Sequence, residues 1–127
     1  MGNGIFNKIT GKCGEDFAAQ YLKLHGYKIL EQNYRNKIGE IDIIAKRKKT
    51  LVFVEVKTRK SSEFGTPAEA VTYYKKQKIV NTARYYLAKN PTDMDISFDV
   101  IEVFGSFDGV QFELFDINHL QYVFEEV

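Results

Sequence analysis

Between Ile38 and Arg59 two stretches rich in β-branched residues, Ile38 to Ala45 and Leu51 to Arg59, are separated only by Lys46-Arg47-Lys48-Lys49-Thr50. A connection that short makes the two arms a β-hairpin. The turn lacks the Asn-Gly or Asp-Gly pair that would set its register. Each arm also carries charge inside its apolar run. Side chains alternate between the faces of a strand, so Glu40, Asp42 and Ile44 share a face of the first arm. Leu51, Phe53, Glu55, Lys57 and Arg59 share a face of the second, and Val52, Val54 and Val56 line the opposite one.

Closure about Lys48-Lys49 sets Asp42 opposite Glu55 and Glu40 opposite Lys57. The second pair neutralises itself; the first does not. Two carboxylates about 5 Å apart repel by roughly 3 kcal/mol at an effective dielectric near 20, and like charges directly opposite destabilise a sheet. Either one is protonated or a cation lies between them. Mg²⁺ or Mn²⁺ is the expected cofactor, because hard cations take oxygen ligands and Mg²⁺ uses only one or two carboxylates. Asp42 and Glu55 are then the metal ligands. Lys57 orients a water or a phosphate from the same face as Glu55. The competing reading is a solvated face of alternating charge, which the apolar neighbours Leu51, Phe53 and Ile44 disfavour.

From Gly14 to His25 the pattern is helical. Phe17, Tyr21 and Leu24 form one apolar row, Ala18, Ala19 and Leu22 extend it, and Gly26 ends the helix. Glu15 is in phase with Ala18, Ala19 and Leu22, so its carboxylate points inward, where an acid needs a partner. It is a candidate third ligand or accessory acid. Tyr27 to Tyr34 reads as a strand ahead of the hairpin. Thr66-Pro67-Ala68-Glu69 resembles a helix start, with the helix running to about Lys89. Its expected apolar stripe is Tyr73, Ile79, Val80, Ala83, Tyr86 and Leu87, with Lys75, Lys78 and Tyr85 on another face. Ile96 to Phe104 and Val110 to Phe115 close the chain as a second hairpin. The element order is αβββαββ, an α/β class.

A chain of 127 residues holds one domain with a single core. No apolar run approaches a membrane span, residues 1–10 show no export signal, and the one cysteine, Cys13, fits a reducing cytoplasm. His25 reads as a helix-end histidine and His119 as a surface or packing one. Charge is uneven: residues 1–60 hold thirteen Lys/Arg against six Asp/Glu, and the remainder five against eleven. A basic half that also carries the carboxylates suits a polyanion. The nucleic acid is expected to cross the Asp42/Glu55 face, flanked by Arg35, Arg59, Lys75 and Lys78. Lys37 and the Lys46 to Lys49 cluster are either further phosphate contacts or a solvated turn.

These residues resemble a known pattern. Gly14-Glu15, Asn33-x-Arg35, Gly39-Glu40-Ile41-Asp42, Phe53-Val54-Glu55-Val56-Lys57-x-Arg59, Phe64-Gly65, Lys75 with Lys78, and Phe98-Asp99-Val100 are similar to the YraN-type family of small bacterial proteins. Through it they are similar to the PD-(D/E)xK nucleases, including archaeal Holliday junction resolvases. The match covers nearly Gly11 to Phe104. The resemblance implies a restriction-endonuclease-like fold, a central mixed sheet of about five strands flanked by helices. It implies Asp42 and Glu55 as metal ligands, Lys57 as catalytic lysine and Glu15 as accessory acid. Ile41 stands where the superfamily motif names proline. The leading expectation is a metal-dependent nuclease acting on DNA, of branched or repair-related form by fold-level analogy, with no membrane partner and room for a homodimer. The alternatives are a non-catalytic nucleic-acid-binding module and a protein-interaction domain of the same fold.

Overall fold

The computed structural model describes residues 3–60 and 72–124. Helix α1 (Asn3–Leu24) leads into strands β1 (Lys28–Arg35), β2 (Glu40–Arg47) and β3 (Thr50–Arg59), then helix α2 (Tyr73–Lys89) and strands β4 (Asp95–Phe107) and β5 (Phe112–Phe124). The five strands form one sheet in the order β1-β2-β3-β4-β5. All neighbours are antiparallel except β3 and β4. A parallel pair needs a crossover, and α2 lies within it. This is the mixed α/β sheet in the predicted order.

Two apolar layers sandwich the sheet. On one face Ala18, Ala19 and Leu22 of α1 bury against Ile43, Ala45, Val52, Val54, Ile101 and Val103. On the other, Ile79, Val80, Ala83 and Tyr86 of α2 bury against Ile44, Leu51, Phe53 and Phe98. A fully buried Leu, Ile or Phe contributes about 1.5–3 kcal/mol, so these layers hold both helices in place. Gly14 sets how closely α1 approaches: a Cβ there would meet Thr58 Oγ1 at 2.0 Å.

The end of α1 follows expectation. Gly26 has φ +87°, and the Tyr27 and Gly26 N–H groups donate to Leu22 and Lys23 carbonyls, a Schellman closure. Leu24 departs from its predicted apolar row and is exposed, because it lies at the helix's last turn beyond the sheet.

The β2–β3 register is the one symmetric closure predicts, with Arg47 facing Thr50 and Ile43 facing Val54, and Lys48 adopts φ +55° in the turn. The second helix differs from expectation. The proposed Thr66 cap lies outside the described residues, but Thr72 is extended and its Oγ1 accepts from Lys75 N, so α2 begins at Tyr73. The described helix is therefore shorter than expected at its start, and Tyr73 is exposed. The C-terminal hairpin is longer than predicted, with β4 continuing to Phe107 and β5 to Phe124. Its turn is made by Asp108, whose Oδ1 accepts from Val110 N and Gln111 N.

Candidate active site

The pairing of β2 with β3 ends at Ile43 and Val54. Beyond that point alternation breaks at Asp42. Ile41 buries with the α2 layer and Ile43 with the α1 layer. Asn33, next to it on β1, has φ +56°. Asp42 thus turns into the gap between the strands, where its Oδ2 accepts the Val56 N–H at 2.7 Å. Glu55 stands on the neighbouring strand with its side chain 14% exposed. The two acids line two clefts at once. One, of about 480 Å³, lies toward α2 and is bordered by Arg35, Glu40, Lys75 and Lys78. The other, of about 360 Å³, lies toward α1 and is bordered by Glu15, Lys57 and Thr58.

Burial pushes the Asp42 carboxyl up to about 7, and the nearby Glu55 charge adds to the rise, against the Val56 hydrogen bond that opposes it. Glu15 reaches Asp42 from α1 and also bonds Asn33; burial raises its pKa as well. A hydrogen bond between two carboxyls requires a proton. Asp42, the deeper of the two and the one facing Glu55, holds it.

Lys75 Nζ lies 2.7 Å from Glu55 Oε1, and Lys57 Nζ lies 3.5 Å from the same oxygen. The two amines also interact. Burial lowers the Lys57 pKa, and the Lys75 hydrogen bond lowers it further. Burial acts downward on Lys75 too, but its bonds to Glu55 and Lys57 outweigh it and the net shift is upward. Lys57 is therefore the amine that more readily gives up its proton.

Glu15, Asp42, Glu55, Lys57 and Lys75 thus converge, contributed by both helices and two strands. The expected Glu40–Lys57 pair does not form. Glu40 instead takes Arg35 at 2.9 Å across β1 and β2, because the β2–β3 ladder has ended before it reaches Glu40. Arg35 and Lys78 remain exposed beside the larger cleft. Arg59 is placed elsewhere. Its Nε lies 2.9 Å from Glu102 Oε2 on β4, both buried, in a charge contact without hydrogen-bond alignment. Among the described residues no three acidic, His or Cys groups surround a single point as a closed metal cage would.

Three features were not anticipated. Lys75 was expected to touch phosphate, and it is the direct partner of Glu55. Asn36 braces the loop before β2: its Nδ2 donates to Tyr34 OH and Thr82 O, and its Oδ1 accepts from Ile38 N and Gly39 N. His119 is buried, with Nε2 at 2.7 Å from Asp99 Oδ2 and Nδ1 at 3.3 Å from Tyr21 OH, while Ser97 OH donates to Asp99. His25 caps the helix end as expected, its Nδ1 facing Tyr21 O at 2.8 Å. Among the described residues no helix is long and apolar enough to cross a membrane.

A family model described as uncharacterised protein family UPF0102 matches residues 14–103, the span that carries every member of this cluster. A UPF0102 protein of Caldanaerobacter subterraneus is 49% identical over 117 residues, covering 91% of this chain and 94% of the relative. One from Alkaliphilus oremlandii is 47% identical over 121 residues, covering 93% and 99%, and one from Clostridioides difficile is 52% identical over 99 residues, covering 77% and 87%. The chain belongs to the UPF0102, or YraN-type, family, and its fold agrees with the PD-(D/E)xK nuclease superfamily.

Proposed function

We infer that this protein is a metal-dependent nuclease that hydrolyses DNA phosphodiester bonds, with branched or repair-related DNA as its substrate class. The observation that carries the reading is the half-buried pair of Asp42 and Glu55, in which burial and the Glu55 charge hold Asp42 near pKa 7. A fold gains no stability from such a pair in the absence of a ligand. The donors are all carboxylate oxygens, which suits Mg²⁺ or Mn²⁺. Asp42 and Glu55 are the two ligands, and Glu15 adjusts the proton on Asp42 from α1. When bound, the cation neutralises the acids and stabilises negative charge on the phosphate.

Lys57 holds the attacking water or a phosphate oxygen, its pKa lowered by burial and by the Lys75 hydrogen bond against the opposing pull of Glu55. Arg35 and Lys78 fix the strand by its phosphates. Lys75 balances Glu55 and would give way to a cation bound there.

One observation favours a second reading. Lys75 and Lys57 already balance Glu55 without a metal, and this suits a non-catalytic nucleic-acid-binding module. A cleavage assay over linear, flapped and four-way DNA with Mg²⁺ or Mn²⁺ separates the two. The nuclease reading expects cleavage that Asp42→Asn and Glu55→Gln abolish. Binding of these DNAs with no cleavage of any of them by the native chain supports the module.

A further inference from the structure

The outer surface of α2 carries a row of which the carboxylate site uses only Lys78. Tyr74, Lys78, Asn81, Tyr85 and Lys89 follow one another at intervals of four, three, four and four residues, which places them on a single helical stripe. At 1.5 Å per residue the row from Tyr74 to Tyr85 spans about 16 Å, the length of several stacked nucleotides. At one end Tyr73 and Tyr74 are 76% and 85% exposed and border a groove of about 420 Å³ with Ile38 and Lys78. At the other end Lys37 and Lys89 hold their ammonium groups 5.6 and 4.8 Å from the centre of the Tyr85 ring.

Each end points to a ligand. Large aromatic faces left open to water offer stacking to flat rings, and they sit here among cations and an amide. Two ammonium groups gathered on one ring repel each other, and neither has a carboxylate partner among the described residues. Either ammonium group can take an anion. Lys78 also borders the cleft over Asp42 and Glu55, so the stripe and the carboxylates are continuous. A duplex can offer phosphates to such a row, but its base faces are already stacked. Only an unpaired strand offers both.

We propose that this stripe is a subsite for an unpaired DNA strand, with Tyr73 and Tyr74 as stacking surfaces and Lys37, Lys78 and Lys89 as phosphate contacts. It rests on the nuclease reading and narrows the substrate to DNA with a single-stranded segment beside the scissile bond. Base stacking on tyrosine tolerates any sequence, so recognition is of strand state and not of bases.

The test is fluorescence anisotropy of the full chain with labelled oligodeoxynucleotides, single-stranded or blunt duplex, without divalent cation. Single strands are expected to bind at least tenfold tighter than duplex. Changing Tyr73→Ala and Tyr74→Ala together should weaken single-strand binding at least tenfold and duplex binding less than twofold, with an unchanged melting temperature. The paired Tyr→Phe variant should retain affinity. Lys37→Ala with Lys89→Ala should reduce the slope of log K against log salt by about 1.4 for a single strand.

Equal losses for both DNAs, or no loss, overturn the subsite. An oligoribonucleotide bound tighter than its DNA counterpart overturns the commitment to DNA. A change of sedimentation from dimer to monomer, with DNA binding intact, assigns the tyrosines to a second copy instead. Because no metal is present, these outcomes are independent of hydrolysis. A chain that cleaves nothing yet shows the tyrosine effect loses only the nuclease reading, and one that cleaves but binds normally without Tyr73 and Tyr74 loses only the subsite.

Discussion

The backbone N–H of Val56 donates to Asp42 Oδ2 at 2.7 Å at the place where β2 and β3 have ceased to pair. A side chain has taken the position of a strand. The bond fixes one oxygen of the carboxyl that also meets Glu15 and the Glu55 charge.

A pH dependence follows from the raised Asp42 pKa. The folded-state value, about 7, lies above the ordinary 3.8, so between these values the unfolded chain ionises while the folded chain keeps its proton. Stability without metal is full below about pH 4 and is lost as pH rises through about 7, by something on the order of 2–4 kcal/mol. Asp42→Asn should remove this loss, since Asn Oδ1 still accepts from Val56. The variant should melt above the native chain at pH 8 and alongside it at pH 4. Equal melting temperatures at pH 8 would mean that Asp42 titrates normally. Mn²⁺ should raise the melting temperature of the native chain at pH 8 and not that of the variant.

Gly14→Ala gives a test with a definite sign. On an isolated helix the change gains about 1 kcal/mol. Here the new Cβ would collide with the Thr58 side chain, so either Thr58 turns to another rotamer or the helix shifts from β3, and the change should cost about 1–3 kcal/mol in urea unfolding. Adding Thr58→Ala should recover most of the loss. A stabilised single variant would mean that α1 packs further out than described.

Lys57 and Lys78 separate chemistry from binding. Lys57→Met should leave the melt and DNA affinity close to native and lower single-turnover cleavage by about 10²-fold or more, the scale of losing one preorganised charge. An unchanged rate would reduce Lys57 to a partner of Glu55. Lys78→Ala should leave single-turnover cleavage at saturating enzyme within a few fold and reduce the salt slope of duplex binding by about 0.9, as for one phosphate contact. Lys75, held at Glu55, should alter the slope less.

The buried Asp99–His119 pair anchors β5. His119→Leu removes one of three hydrogen-bond partners that the Asp99 carboxylate has among the described residues, leaving Ser97 OH and Tyr122 N–H, and should cost about 1–3 kcal/mol. Combining it with Asp99→Leu should restore part of that loss. Similar melts for all three chains would show that β5 is held by its ladder alone.

The hairpin was legible because two β-rich arms flank a short basic turn, whereas its register was not signalled by the turn; the symmetric closure about Lys48-Lys49 is the one that forms. Glu15 was legible from its phase with Ala18, Ala19 and Leu22. The Arg35–Glu40 pair was not, since alternation alone does not reveal where a ladder ends or that Asn33 takes φ +56°. Lys75 was read as a phosphate contact because its distance from Glu55 depends on how the crossover sets α2 against the sheet. Thr72 caps α2, and local sequence did not distinguish it from Thr66, a residue of the same type that lies outside the described residues. Strand β5 ran past its predicted end because one face of it stays exposed, which blurs the apolar signal.

Glu15 and Lys75 stand on helices that cover opposite faces of the sheet, yet both reach the same pair of acids. The cluster therefore behaves as a coincidence detector for folding. A nascent chain that has formed the hairpin but docked one helix lacks either the proton-sharing acid or the lysine that balances Glu55. On the nuclease reading proposed above, the site would stay incomplete until both layers have closed.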